Sequence, residues 1–303
     1  MATEPIVYFH RSRRALEEEN IPGEFWLRWL YSSSLSGQLA LHLLVKRAFF
    51  SAWYGRRMDH HKSVRKILPF IVEHNLDVDE FAKSALSYKT FNDFFYRKLK
   101  ASARPIHADP ASAILPADGR HLVFPIVDAA DGFYVKGAQL TVEELLGGSL
   151  LARQFAGGAM VISRLAPVDY HRFHFPCAGE AGRWSETAGP LFSVNPIALR
   201  RNLGYLVQNK RMTTVLTSPL FGAVAMIEIG ATLVGGIRQT HRPGSQVAKG
   251  EEKGLFKFGG SCVITLFQAR RITFDADLVE QTRNGIETYA TMGDRLGMAT
   301  GAA

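Results

Sequence analysis

The chain has 303 residues, of which 47% are hydrophobic and 21% charged, and its formal net charge is +8. This composition predicts a folded protein with a sizeable core and argues against disorder. Its two cysteines, Cys177 and Cys262, argue against a disulfide framework or a cysteine-rich zinc site and fit a reducing compartment.

Residues 1 to about 100 have the residue pattern of a helical region. Apolar residues recur at helical spacing from Leu39 to Arg47 and again from Val64 to Ile71. Acids in a first turn predict a short helix over residues 77–86. Thr90 is a good N-cap for a further helix that carries several phenylalanines.

Residues 101–106 have the composition of a linker, and short β-prone runs follow between glycine and proline turns. One short helix is predicted at Thr141–Leu146. The sequence therefore predicts an α+β fold, with a helical region over residues 1–100 and a mainly β body over residues 101–303. The predicted strands are Leu122–Val127, Phe133–Lys136, Ala159–Ser163, Val224–Ile229, Thr232–Ile237 and Cys262–Phe267.

A basic and aromatic segment lies at residues 46–66. It contains seven lysines and arginines against one acid, Asp59, with four aromatic residues among them. This composition is typical of a segment that lies on anionic lipid. A solvated basic helix over a core is the alternative, and nucleic-acid binding is disfavoured because no nucleic-acid motif accompanies the charge. The uncharged stretch Trp29–Val45 is too short and too polar to span a bilayer, so we expect the chain to lie on a membrane without crossing it.

Gly259-Gly260-Ser261 leads directly into the last apolar run. Glycine permits a twisted backbone that lets a serine hydroxyl reach the carbonyl carbon just before it. The segment is therefore a candidate for attack on its own peptide bond between Gly260 and Ser261. A tight turn or bulge entering a strand is the alternative interpretation.

Three further residues could act with this serine. Asp118 lies in Leu115–Arg120, and His171 and His174 lie close together. Serine needs a base, histidine titrates near neutrality, and a carboxylate can hold an imidazole in one tautomer. The alternatives are an ordinary Asp-Gly turn and strand histidines with satisfied nitrogens. No third ligand accompanies the two histidines, so no metal site is predicted.

Taken together, these segments resemble those of the phosphatidylserine decarboxylases, pyruvoyl-dependent enzymes that make phosphatidylethanolamine. One departure is Cys262, since the family usually has threonine or serine after the processed serine. Seven matching segments lie in order along the chain. They are Tyr-Lys-Thr-Phe-Asn-Asp-Phe-Phe at 88–95, Pro-Ala-Asp-Gly at 116–119, Val-Lys-Gly at 135–137, Asp-Tyr-His-Arg-Phe-His at 169–174, Ser-Val-Asn-Pro at 193–196, Val-Gly-Gly-Ile at 234–237 and Lys-Gly-Glu-Glu-Lys-Gly to Gly-Gly-Ser at 249–261.

The resemblance implies a self-cleaving carboxy-lyase. Asp118, His174 and Ser261 would form the charge relay that cuts the chain, and Ser261 would become a covalently bound pyruvoyl cofactor. That group would form a Schiff base with phosphatidylserine, and His171 would act in the decarboxylation.

The resemblance also implies partners and a location. The large chain, residues 1–260, and the small chain, residues 261–303, would remain together as a heterodimer. A homodimer of this two-chain unit is an open alternative. The expected substrate is phosphatidylserine in membranes, reached from the cytoplasmic side of the cell membrane by a peripheral protein that binds no nucleic acid.

Two other functions are compatible with the same residues. A serine hydrolase could use Ser261, His174 and Asp118, although the serine lacks a Gly-x-Ser-x-Gly elbow. A non-catalytic lipid-binding or scaffold protein could use the basic helices alone. Both alternatives predict an intact chain.

Overall fold

A computed structural model of the chain describes residues 5–21, 23–32, 34–41, 55–127, 141–231, 236–259 and 261–301. Several sequence predictions lie partly or wholly outside these ranges. They are the strand Phe133–Lys136, most of the run Thr232–Ile237, the helical spacing beyond residue 41, the first part of the basic and aromatic segment, and Gly260.

A large sheet forms the centre of the fold. The strands, in chain order, are β1 Val7–His10, β2 Ala15–Glu18, β3 Ser112–Ile114, β4 Gly119–Phe124, β5 Ala159–Leu165, β6 Arg172–His174, β7 Gly179–Ala181, β8 Ser185–Thr187, β9 Arg211–Ser218, β10 Gly222–Gly230, β11 Ile237–Gln239, β12 Ser245–Val247, β13 Glu252–Phe256, β14 Ser261–Phe267, β15 Ile272–Phe274, β16 Glu287–Ala290 and β17 Arg295–Ala299. Eleven of them make one sheet in the order β12-β7-β9-β10-β14-β5-β4-β16-β1-β2, with β8 paired to β9. Two three-stranded sheets, β11-β13-β6 and β15-β17-β3, accompany it.

The large sheet is buried on both faces. Along β14, Cys262 and Ile264 belong to one apolar cluster, whereas Val263 and Phe267 belong to another. Helices supply much of the first cluster, and the two small sheets and the helix Ala276–Arg283 contribute to the second. Because both faces are covered, these strands read as continuous apolar runs, and the predictions at β4, β5, β10 and β14 are confirmed.

The helices are short, and their N-caps follow the sequence. The Thr90 hydroxyl accepts a hydrogen bond from the Asp93 amide at 3.0 Å, as predicted. The short helix predicted at Thr141–Leu146 also forms, and the Thr141 hydroxyl caps it by accepting a hydrogen bond from the Glu144 amide at 3.2 Å. Within the described part of the chain, no helix combines the length and apolarity needed to cross a membrane. The helices are Glu24–Leu30, Leu35–Ala40, Ile67–Glu73, Phe91–Phe95, Val142–Leu146, Ser149–Ala152, Pro196–Leu199, Tyr205–Gln208 and Ala276–Arg283, with 3-10 segments at His61–Lys66, Val78–Glu80, Ala85–Ser87, Ala101–Ala103 and Arg153–Phe155.

The helical prediction is wrong for the start of the chain. Residues 7–18 form the antiparallel pair β1-β2, and β1 continues the large sheet by pairing in parallel with β16. Arg14, at a φ of 55°, completes the turn between the two strands. The pairing of β1 with β16 joins residues almost a whole chain length apart, so no local pattern could reveal it.

Two other helical predictions need correction. The helix predicted over residues 77–86 is two separate 3-10 turns, because Phe81 between them bridges to Leu99 in an extended conformation. The stripe from Val64 to Ile71 crosses a junction between 3-10 and α-helix at residue 67. The change of periodicity there leaves Val64 exposed while Ile71 is buried.

Candidate active site

Ser261 begins β14 at the centre of the large sheet, with β5 on one side and β10 on the other. Leu165 and Gly230 lie opposite it on these two strands. The residue is fully buried, and its Oγ has no hydrogen-bond partner within the described part of the chain. Gly259, two residues earlier, has a φ of 131°, a conformation that favours glycine. A buried hydroxyl without a partner is costly in a protein interior, and it is therefore a candidate for a chemical role.

Asp118 reaches this region from β4, the strand on the other side of β5. Gly119 has a φ of 149°, and a Cβ atom there would lie 2.3 Å from the carbonyl oxygen of Arg164. Glycine therefore allows the close approach of β4 to β5. Arg164 lies opposite both Arg120 of β4 and Cys262 of β14. Neighbouring strands lie about 4.8 Å apart. The backbone of β4, which follows Asp118, is therefore about 10 Å from the backbone of β14, which begins at Ser261.

The Asp118 carboxylate is held by Arg104 and a backbone amide. Arg104 Nε lies 2.9 Å from both carboxylate oxygens, its Nη2 lies 2.6 Å from Oδ2, and the Met292 amide donates to Oδ1 at 2.8 Å. Burial raises the pKa of Asp118, and the Arg104 guanidinium and the Met292 amide oppose that rise. Burial alone would lower the pKa of Arg104, but Asp118 and Glu80 raise it well above its usual value. The pair has the geometry of a buried ion pair.

The two histidines share one hydrogen-bonding pattern. Nδ1 of His171 lies 2.9 Å from the Asp169 carbonyl oxygen, and Nδ1 of His174 lies 3.0 Å from the Gly250 carbonyl oxygen. Because a carbonyl oxygen can only accept, each Nδ1 carries the proton and each Nε2 keeps a lone pair. Both Nε2 atoms are buried and, by distance and angle, have no hydrogen-bond partner among the described residues, although the Gly259 backbone lies close enough to His171 to act on its pKa. This is the tautomer that a general base requires.

Burial also keeps both rings neutral near pH 7. It lowers the pKa of His171 to about 3, although the backbones of Asp169 and Gly259 raise it in part. Burial likewise lowers the pKa of His174. The influence of Gly259 on His171 places that ring beside the predicted cleavage segment, where it also packs against Phe95 with the ring centroids 3.9 Å apart and the ring planes tilted by 38°.

The structure places His174 near Asp118, since the His174 amide donates to the Pro116 carbonyl oxygen at 2.7 Å, and it places His171 beside Gly259, two residues before Ser261. The hydrogen bonds described for Asp118 go to Arg104 and Met292, and the one described for the His174 ring goes to Gly250. No direct bond between Asp118 and His174 is among these contacts, so the charge relay stays a prediction. Across the described ranges, no cluster of three or more His, Cys, Asp or Glu residues is arranged to hold a metal ion.

Sequence reasoning missed the groups that hold the site in place. Arg104 lies in the segment assigned as a linker, and nothing in its spacing marks it as the partner of Asp118. The carbonyl oxygens of Asp169 and Gly250, which orient the histidines, have no side-chain signature at all. Only the three-dimensional structure reveals such backbone acceptors.

Cys262, the departure from the family pattern, points away from the site. Successive residues of a strand face opposite sides of the sheet, so its thiol belongs to the apolar cluster on the other face from Ser261. Burial raises the pKa of the thiol far above its usual value. A neutral thiol on the opposite face does not compete with the serine hydroxyl.

Comparison with known proteins identifies the family. Residues 91–298 match the family described as phosphatidylserine decarboxylase. Three curated relatives, each named phosphatidylserine decarboxylase proenzyme, cover nearly the whole chain. The Fusobacterium nucleatum protein is 43% identical over 98% of this chain and 99% of its own length, the Clostridium novyi protein is 42% identical over 96% and 99%, and the Chlamydia muridarum protein is 43% identical over 98% of both. The chain belongs to the phosphatidylserine decarboxylase family and is a decarboxylase, a carboxy-lyase.

Proposed function

We propose that this chain is a proenzyme that cuts itself between Gly260 and Ser261 and then converts phosphatidylserine to phosphatidylethanolamine and carbon dioxide. The observation that carries the proposal is the buried Ser261 hydroxyl, which has no partner and follows Gly259 at a φ of 131°. The names of the relatives support it, because a proenzyme requires processing.

Self-cleavage needs a base, an attacking oxygen and a leaving amine. An imidazole Nε2, assigned to His174 by family resemblance, would take the proton of Ser261 Oγ. The oxygen would attack the Gly260 carbonyl carbon, and the bond from that carbon to the Ser261 nitrogen would break. The nitrogen would take up a proton, and an ester would replace the amide.

The ester would then be resolved by elimination. Loss of the Cα proton of Ser261 and breakage of its Cβ–Oγ bond would release residues 1–260 with a new carboxylate. The remaining dehydroalanine would rearrange to an imine, and water would replace its nitrogen, which leaves as ammonia. Residues 261–303 would then begin with a pyruvoyl group.

The site fits such a group. The buried Ser261 position offers a water-poor environment, and the His171 ring beside Gly259 carries an Nε2 that has no hydrogen-bond partner among the described residues. When formed, the pyruvoyl group supplies an electrophilic carbonyl and an electron sink. The substrate ammonium must lose a proton before its nitrogen can attack. Neutral His171 could accept that proton at Nε2 and return it to the carbon that loses carbon dioxide.

Peripheral membrane association at the cytoplasmic side of the cell membrane completes the proposal. Phe25, Trp26, Leu35 and Leu39 on the first two helices are 75%, 63%, 88% and 60% exposed. Large exposed apolar side chains next to a basic segment support contact with an anionic lipid surface. A protein held there would meet a substrate that never leaves the bilayer.

The test is the intact mass of freshly purified protein under denaturing conditions. We expect two chains, 1–260 and 261–303, with the smaller one lacking a free amino terminus, and one uncut chain in Ser261→Ala. Carbon dioxide release from phosphatidylserine vesicles should accompany the cut form only. An uncut wild-type chain that is fully active, or a Ser261→Ala chain cut at the same bond, would rule the proposal out. An uncut chain labelled by a fluorophosphonate at Ser261 would identify a serine hydrolase instead.

A further inference from the structure

A pocket lies beside the helix Phe91–Phe95. Its volume is about 330 Å³. Seven charged or polar residues contribute to its lining, namely Lys83, Tyr88, Asp93, Tyr96, Arg97, Lys98 and Arg172. The self-cleavage mechanism uses none of these seven residues.

Arg97 is the unusual member of this lining. Its side chain is buried, with only 5% of the residue exposed, and its Nε and Nη1 have no acceptor. Its described side-chain neighbours are two rings, with the guanidinium carbon 4.9 Å from the centre of Phe81 and 5.0 Å from that of Phe94. The hydroxyl of Tyr88, also in the lining, is buried without a partner. Buried arginines are ordinarily paired, so this cluster presents buried hydrogen-bond donors of the kind that an anion-binding site uses.

No carboxylate in the surroundings is free to neutralise Arg97. Asp118 and Glu80 act on its charge from a distance, but both are bound to Arg104. Asp93, in the pocket itself, is paired with Lys83 at 3.3 Å. The pocket therefore carries surplus positive charge.

The pocket and the candidate active site share structural elements. Phe94 lies against Arg97, and the next residue, Phe95, packs against His171. Arg172, in the pocket lining, follows His171 in the chain and donates through Nε to the carbonyl oxygen of Tyr96 at 2.9 Å. The helix Phe91–Phe95 therefore contacts both Arg97 and His171. In a phosphatidylserine headgroup the phosphate and the amino nitrogen are only a few covalent bonds apart, so one headgroup needs its phosphate site and its reacting site close together.

We propose that Arg97 and Tyr88 form a subsite for a phosphate group, supplied by the phosphodiester of the lipid headgroup, and this assignment rests on the proposed function. The guanidinium and the phenol would donate to the phosphate oxygens, and Lys98 would add charge at the pocket wall. Arginine suits this task because its donors match the geometry of phosphate oxygens.

The substrate carboxylate fits this pocket less well than the phosphate. Decarboxylation disperses the charge of the carboxylate, so a cation bound to it would stabilise the starting state more than the transition state. The phosphodiester keeps its charge throughout the reaction, and binding it therefore holds the substrate without opposing the chemistry. Arg97 would act as a positioning and specificity residue.

The first experiment measures binding without any turnover. In a full-length Ser261→Ala chain, which cannot form the pyruvoyl group, glycerophosphoserine and inorganic phosphate are titrated separately by calorimetry. Each variant is made in that background: Arg97→Met, Arg97→Lys, Tyr88→Phe and the control Arg200→Met, which removes an exposed arginine with no described side-chain bond.

We expect Arg97→Met to weaken glycerophosphoserine binding by about 10- to 100-fold, the usual effect of losing a charge-assisted hydrogen bond. Arg97→Lys should restore part of the affinity, Tyr88→Phe should lose less, and Arg200→Met should match the parent chain. Equal glycerophosphoserine affinity in the Arg97→Met and Arg200→Met chains would overturn the proposal. Inorganic phosphate that binds through Arg97 while glycerophosphoserine does not would overturn the headgroup as its source.

Thermal stability separates this role from a structural one. An unpaired buried cation is costly, so Arg97→Met should unfold at the same or a higher temperature than the parent chain. A large drop in the unfolding temperature together with unchanged binding would show that Arg97 only packs against Phe81 and Phe94.

The second experiment uses the cut wild-type enzyme and its variants on vesicles of phosphatidylcholine that contain phosphatidylserine. Arg97→Met should raise KM by about 10-fold or more with kcat little changed. The wild-type and Arg97→Met proteins should be cut to the same extent. A fall in kcat at unchanged KM would refute the subsite. A wild-type protein that is neither cut nor active would instead refute the proposed function, and the binding experiment would still decide the fate of the phosphate site.

Discussion

The buried charge of Arg164 provides a test of how the small-chain region is held in the fold. Arg164 donates to Glu19 at 3.0 and 2.7 Å and to Glu287 at 3.0 and 2.5 Å, and its side chain is only 2% exposed. Glu19 follows the β1-β2 pair, Arg164 lies on β5, and Glu287 begins β16. The cluster therefore links three distant parts of the chain beside the strand that carries Ser261.

Replacing Glu287 with glutamine should destabilise the protein markedly. Removing one partner of a buried ion pair costs about 3–5 kcal/mol, and we expect about 3 kcal/mol because Glu19 still faces Arg164. With a urea slope of about 1–3 kcal/mol/M, the unfolding midpoint should fall by about 1 M or more. The assay is urea unfolding followed by tryptophan fluorescence, in a Ser261→Ala background so that one uncut chain unfolds.

Glu280→Gln is the matched control, because it removes one carboxylate from an exposed position of the same region. Its unfolding midpoint should stay within about 0.3 M of the parent, as expected for a surface substitution. If the two variants shift the midpoint equally, the buried cluster does not stabilise the fold in the way the geometry indicates.

Three further predictions concern self-cleavage, measured as the fraction of chain cut after cell-free synthesis. Gly259→Ala should slow cutting about 10-fold or more, because the φ of 131° is strained for any residue with a Cβ. The control Gly148→Ala, where a Cβ meets nothing within 4 Å, should be cut at the normal rate. Equal rates for the two variants would show that the backbone conformation of Gly259 does not contribute to cutting. Burial lowers the pKa of His174 from its usual 6.5, so a rate limited by this base should keep more than half of its pH 7.5 value at pH 6.5 and fall further only in more acid solution. A rate that drops to half or less at pH 6.5 would indicate an exposed base. Cys262→Ala should be cut within about 3-fold of the wild-type rate, because the thiol lies in the core on the face of β14 opposite Ser261. Loss of cutting would show that the thiol takes part in the reaction.

The predictions that succeeded depend on local chemistry. The cap at Thr90 and the short helix at Thr141–Leu146 are decided within one or two helical turns, and both form as predicted. The strands β5 and β14 are buried on both faces, so their apolar runs show in the sequence without any knowledge of their partners.

The predictions that failed depend on distant partners or on changes of helical period. β1 is a strand because β16 offers it an edge, with Tyr8 opposite Glu287. The candidate site shows the same limit. The motifs identified Asp118 and His174, but Arg104 and the Gly250 carbonyl oxygen, which set their charge and orientation, come from other parts of the chain.

The position of the proposed cut explains how a chain could break itself and remain folded. Residues 257–260 connect β13 of a small sheet to β14 of the large one, and β14 pairs along its whole length with β5 and β10. Breaking the bond before Ser261 would leave the ladder pairs from Cys262 to Phe267 in place, and the apolar side chains of β14 would stay buried on both faces. Burying a side chain such as Ile264 or Phe267 contributes about 1.5–3 kcal/mol, so several of them together are enough to retain the strand without a covalent link. The new terminus would therefore stay beside His171, which is where the decarboxylation needs it.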